Sequence, residues 1–347
     1  MSANPQVLPD SQSALQRIWF TRCPVPTASG LAHRLGWLSE EFARDGISVA
    51  TLQEGPQELA GRHYDHDLPG LFREGGNVPA LAARAQGIPT RLIGLTWIDE
   101  SQSILVRADS PIRRPEDLKG ARIALPAFGA TRGQSFVRAM TLQGVRGALA
   151  LAGLPFEAIT FVEVPLSRSV GDGRERLQRL WAGLTQLVEG EVDAVYVKGA
   201  AAVDAARRLG LTVGIDLDGF PDKRTRVNNG TPRPITVHED LLRDHFDVVV
   251  RFLAQTLRAA NWARDNRDEL LRILEGETRA GAEGVATAYR GEFHRSLHPT
   301  LDPERLALLR QQKDFLWRHG FLEHDIDIDA WADPRPLAAA HELLSRR

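Results

Sequence analysis

Short apolar runs alternate with amphipathic stretches along most of the chain. Ile18-Trp19-Phe20-Thr21 reads as a first strand. Cys23-Pro24-Val25-Pro26 stops it, because proline has no N–H for a central ladder. Leu31, Leu35, Leu38 and Phe42 fall at helical spacing and predict one helix over 28–45, closed by Gly46. Ile47 to Leu52 predicts a second strand, residues 53–76 a loop with the glycine-rich run 71–77, 78–86 an Ala-rich helix and Thr90 to Thr96 a third strand. Strands follow at Ser103 to Val106, Arg122 to Leu125, Ile159 to Val164, Val192 to Val197 and Leu211 to Ile215. Residues 222–233 are polar and read as a linker before a short strand, Ile235 to His238. Beyond it the pattern is helical through 247–265, 267–275, 281–290 and 303–319, and no internal repeat appears.

Strands alternating with helices predict an α/β protein whose sheets are covered on both faces. Ligands of such sheets sit beyond the carboxyl ends of strands, where Cys23 and the 53–76 loop fall. The 347 residues suffice for two cores. A net charge of −2 gives no basic excess to recruit nucleic acid or an acidic membrane. Residues 1–16 are polar and read as a loose leader, without the basic start and long apolar run of a secretory signal. With a single cysteine, Cys23, no disulfide can form within the chain, and the expectation is a cytoplasmic protein. No stretch reaches membrane-spanning length without charge.

Three local patterns carry chemistry. Cys23 opens a Cys-Pro-Val-Pro segment. His63 stands ten residues before Arg73, which Gly75 and Gly76 follow. Ser103 to Leu125 contains Asp109-Ser110-Pro111-Ile112 and Glu116-Asp117-Leu118-Lys119-Gly120 between two strands. The third pattern resembles the interlobe crossover of type II periplasmic binding proteins. That resemblance implies a two-lobed α/β fold with a ligand cleft between the lobes. It predicts lobe I from 17–105 plus 225–347 and lobe II from 106–224, the chain returning through 222–233. The first two patterns, with Leu306-Ala307-Leu308-Leu309 and Asp329-Ala330-Trp331-Ala332, resemble the 2'-hydroxybiphenyl-2-sulfinate desulfinase family. That family has the same fold without export and uses no cofactor. The family's tyrosine three residues after the histidine is His66 here, its glutamine two further on is Leu68, and little aligns between about 127 and 200.

The resemblance implies catalytic roles for Cys23, His63 and Arg73. A thiol becomes reactive where positive charge or helix N-terminal amides favour its thiolate; Arg22 and the helix near residue 28 are the expected sources. Taken alone, Cys23 reads as a small buried hydrophobe. His63 can orient the thiol or move its proton; its bland reading is a surface loop histidine. Arg73 offers a fork suited to the two oxygens of a sulfinate, and Gly75 and Gly76 bring backbone amides close enough for an anion nest. Tyr64, His66 and Lys198 are further expected substrate contacts, and Arg132 is a weaker candidate. Tyr64, Phe72 and Phe128 are candidates for an apolar wall, and Phe315 for core. His63-Tyr64-Asp65-His66-Asp67 offers ligand types but no thiolate pair and no helical spacing, so no metal is expected. No dinucleotide fingerprint, P-loop or Gly-x-Ser-x-Gly elbow is present.

The expected partner is a small organic sulfinate whose carbon–sulfur bond is cleaved to release sulfite. Cys23 would either attack sulfur or protonate the ring carbon. The rival reading is a non-catalytic receptor of the sulfonate or nitrate type that delivers an anion to an ABC transporter permease and needs neither Cys23 nor His63.

Overall fold

The computed structural model describes residues 15–21, 23–166, 181–278 and 280–346. The expected leader up to residue 14 and Arg22, expected beside the thiol, lie outside them. Two sheets organise the rest. The first contains β1 (Arg17–Phe20), β2 (Ser48–Thr51), β3 (Leu71–Glu74), β4 (Thr90–Thr96) and β10 (Arg233–His238), in the order β2-β1-β3-β10-β4. β1 runs parallel to β2 and β3, whereas β10 is antiparallel to β3 and β4. The second half holds β5 (Gln102–Arg107), β6 (Arg122–Pro126), β7 (Thr160–Val164), β8 (Val195–Lys198) and β9 (Leu211–Asp216). There β8-β5-β9 form an antiparallel sheet and β6-β7 a parallel pair, tied by a bridge between Ile123 and Ala194.

Both faces of the first sheet are covered. On one, Ile18, Phe20, Phe72 and Ile235 meet Val249, Phe252 and Leu253 of the helix Phe246–Asp265. On the other, Leu92 and Leu95 meet Val78 and Leu81 of the helix Asn77–Ala85, with Phe315 and Trp331. A separate core around Ile104, Ile123, Val195 and Tyr196 holds the second half together. The chain crosses between the halves after β4 and returns after β9, through residues 217–232.

Two expectations fail locally. The helix expected over 28–45 is two helices, Ala28–Arg34 and Trp37–Ala43, because Gly36 adopts a left-handed φ of 80° between them. The run Leu71–Glu74, expected as loop, is the strand β3. It lies between β1 and β10, so all four residues are buried, Arg73 and Glu74 included. Its charged residues give it a surface-loop composition. It is a strand because each charge finds buried polar partners.

Candidate functional site

One cavity of about 280 Å³ opens between the two halves, lined by residues of both. Cys23 enters from the turn that ends β1, where Val25 N–H donates to the Cys23 carbonyl at 2.8 Å and Thr27 N–H to the Val25 carbonyl at 2.8 Å. These consecutive three-residue turns suit a segment whose prolines have no N–H to donate. The thiol is half-buried and donates to the Glu74 carbonyl at 3.4 Å. His63 and Tyr64 come from the short helix Arg62–Asp65, Gly76 from the entrance to the helix Asn77–Ala85, and Lys198 from the end of β8. Pro24, Val25, Pro79, Phe136, Met140 and Trp181 make the wall largely apolar, with Tyr64 stacked on Phe136. The Trp181 indole N–H is buried and has no hydrogen-bond partner among the described residues.

Arg73 does not line this cavity. It lies behind His63, 1% exposed, donating from Nε to the His63 carbonyl at 2.9 Å and from Nη2 to the Gly76 carbonyl at 2.9 Å. Nη2 also stands 3.2 Å from His63 Nε2. A guanidinium nitrogen can only donate, so Nε2 accepts and the neutral imidazole carries its proton on Nδ1. Among the described residues, neither that Nδ1 nor Arg73 Nη1, both buried, has a partner. Burial, then the charge of Arg73, holds the His63 pKa well below the ordinary histidine value. Burial lowers Arg73 to about 10, which leaves it charged at neutral pH.

The glycines act differently from the expected nest. The Gly75 amide faces the Pro234 carbonyl at 3.4 Å, and Gly75 is not part of the cavity wall. A Cβ there would stand 2.8 Å from His63 Cε1 and 3.1 Å from Arg73 Nη2. A Cβ on Gly76 would meet the Asn229 amide at 2.5 Å. The first helical amides beyond are already used: Asn77 N–H donates to the Asn229 carbonyl at 2.7 Å and Val78 N–H to Asn229 Oδ1 at 2.9 Å. The pair therefore gives room for side chains. His66 is also off the wall. It closes its helix in a left-handed conformation, with Nε2 2.8 Å from Thr236 Oγ1, and burial lowers its pKa to about 3.

Among the other aromatic and basic candidates, Phe72 is core, stacked on Phe252 with centroids 4.0 Å apart, and Phe315 is core as expected. Phe128 is 58% exposed and outside the cavity. Arg132 bonds the Gly320 carbonyl and pairs with Glu323, away from the cleft.

Sequence reasoning missed four polar residues of the wall, Glu100, Asn229, Arg233 and Thr278, and the glycine Gly230 beside them. Glu100 pairs with Lys198 at 2.7 Å, both sides buried. Arg233 opens β10, is 5% exposed and has no partner at Nε. Glu74, behind Cys23, accepts from the hydroxyls of Ser29 and Thr96, and burial raises its pKa. The sequence offered no distinct signal for Arg233, which ends a segment polar throughout. Among the described residues no three His, Cys, Asp or Glu side chains converge to hold a metal, and no helix is long and apolar enough to cross a membrane.

The topology and cleft have known counterparts. Residues 32–170 match the NMT1/THI5-like family. The alkanesulfonate-binding protein SsuA of Escherichia coli aligns at 18% identity with a TM-score of 0.65, covering 92% of this chain and 92% of SsuA. The desulfurisation enzyme DszB, crystallised as a Cys-to-Ser mutant with biphenyl-2-sulfinic acid, aligns at 24% identity with a TM-score of 0.76, covering 94% of this chain and 99% of DszB. The chain has the fold of the type II periplasmic binding proteins. It is a homologue of 2'-hydroxybiphenyl-2-sulfinate desulfinase of Rhodococcus erythropolis, with 27% identity over 96% of each chain.

Proposed function

We propose that this protein is a cytoplasmic, cofactor-free desulfinase that cleaves the carbon–sulfur bond of an aromatic sulfinate. The observation that carries the proposal is that Cys23 and His63 line one cavity whose wall is otherwise largely apolar. Likeness to the desulfinase supports the reaction class. A volume of about 280 Å³ is at the lower edge of the usual range for small-molecule sites and favours one or two rings.

The overall change is ArSO2⁻ + H2O → ArH + HSO3⁻. Of the two routes open to Cys23, the histidine geometry favours proton transfer. Attack on sulfur needs a base for the thiol proton, and His63 Nε2 is already engaged by Arg73 while Nδ1 carries hydrogen. In the favoured route, Cys23 gives its proton to the ring carbon. The carbon–sulfur electron pair becomes the new carbon–hydrogen bond, and sulfur dioxide departs. Water converts it to bisulfite and a proton, which restores the thiol. The His63 Nδ1–H, without a partner among the described residues, is a donor for the sulfinate oxygens, and Arg73 behind it supplies positive charge.

The fold likeness to SsuA keeps a receptor reading in view. Sulfite release from a panel of aryl sulfinates, read beside calorimetric binding, separates the two. Cys23→Ser should bind and release nothing. Sulfite from Cys23→Ser at the wild-type rate removes the catalytic role, and binding by wild type without product from any sulfinate favours the receptor.

A further inference from the structure

We infer that the natural ligand carries a second acidic group, a carboxylate on the same ring system as the sulfinate, held by Arg233 and Lys198. The inference rests on the desulfinase reading and names the substrate class for its site.

Three observations support it. First, Arg233 lines the cavity while 5% exposed, and among the described residues it makes no ion pair. Buried charge without a counter-ion is costly, so an arginine kept there has a partner to meet. Second, Arg233 Nη2 and Lys198 Nζ both lie 2.8 Å from the point that a Cβ on Gly230 would occupy. The two cations are therefore at most twice that distance apart, converging on a space that glycine leaves open. Glu100 offsets Lys198 at 2.7 Å, whereas Arg233 feels the buried carboxyl of Glu74 without forming an ion pair with it. Third, the place is offset from the sulfinate donor, although the charge of Arg233 still reaches His63 and Arg73. Thr236 is the partner of Arg73 across β3 and β10, and Arg233 lies three residues from Thr236. Alternation along a strand then sends Arg73 and Arg233 to opposite faces of the sheet. One anionic group beside His63 and Gly76 leaves Arg233 unanswered; a second on the same ligand answers it.

The test compares benzenesulfinate with its 2-, 3- and 4-carboxy derivatives. Affinity is read by calorimetry on Cys23→Ser, which does not turn over, and sulfite release is read on the wild type. At least one carboxy isomer should bind about ten- to a hundredfold tighter than benzenesulfinate, the range of a charge-assisted contact. Arg233→Gln in that background should erase the preference and leave benzenesulfinate affinity within about threefold. Arg233→Lys, which keeps the charge, should retain part of the preference and guards against misfolding of the glutamine variant. No gain from any isomer overturns the inference. Equal losses for benzenesulfinate and the carboxy compound on Arg233→Gln also overturn it, because Arg233 would then hold the sulfinate. Absence of sulfite from wild type with every compound refutes the desulfinase reading instead, and the binding comparison still decides this one.

Discussion

Burying neutral histidines against Arg73 makes the stability of this protein fall as the pH drops below the ordinary histidine range. His66 has a folded pKa of about 3, lowered first by burial and then by Arg73. Unfolded, it titrates near 6.5. Below that value the unfolded chain binds a proton that the folded chain refuses, so stability falls as pH falls, from about 6.5 down to about 3. At pH 5 the proton stabilises the unfolded state by about 2 kcal/mol and the folded state by almost nothing. His63 is shifted in the same direction and adds to the slope. Glu74 acts oppositely, since a raised carboxyl pKa adds stability as pH falls. The assay is urea denaturation at pH 7.5 and pH 5.0 on wild type and His66→Gln. Glutamine can still reach Thr236, and whatever the substitution costs outright cancels between the two pH values. Wild type should lose about 2 kcal/mol more than the variant on acidification. Parallel losses would refute the argument, showing that His66 titrates alike folded and unfolded.

Three further outcomes follow from contacts at and near the site. Gly75→Ala places a Cβ 2.8 Å from His63 Cε1, so sulfite release should drop about tenfold or more with a change in urea midpoint corresponding to less than about 2 kcal/mol. Arg73→Lys keeps charge but loses the fork that grips both the His63 and Gly76 carbonyls, and should cost about 2–4 kcal/mol in the same measurement. Gly147→Ala drives a methyl to 2.1 Å from the Thr225 carbonyl, where the helix Phe136–Leu151 meets the return segment. It should destabilise by about 1–3 kcal/mol in denaturant melts, and an unchanged midpoint would show that this packing is looser than drawn.

What the sequence made legible was local. The Pro-stopped strand before Cys23 and the histidine ten residues before Arg73 could be read in place, because turn chemistry and strand ends are written in neighbouring residues. Cys23, His63, Tyr64, Gly76 and Lys198 all line one cavity. Gly75 and His66 do not, because their jobs are set by atoms distant in the chain: the Arg73 guanidinium for one and the Thr236 hydroxyl for the other. β3 was hidden for the same reason. Leu-Phe-Arg-Glu followed by two glycines has the composition of a surface turn, and only flanking by β1 and β10 makes it interior.

The least legible residues are those that set the charge of the cleft. Glu100 lies within the first crossing between the halves, and Arg233 closes the second. Crossing segments are polar in any two-lobed protein, since their backbones need partners outside a sheet, so polarity there carries no signal. Geometry supplies it: Gly230 lets the return segment pass close enough for Arg233 and Lys198 to face one space. On the proposed reading, reaction and ligand choice are written in different parts of the chain. Cys23, His63 and Arg73, within the first 73 residues, would bear on the chemistry. Arg233, Lys198 and Glu100, where the halves meet, would bear on which anion enters. A relative that keeps the first group and changes the second should keep the reaction and change its substrate.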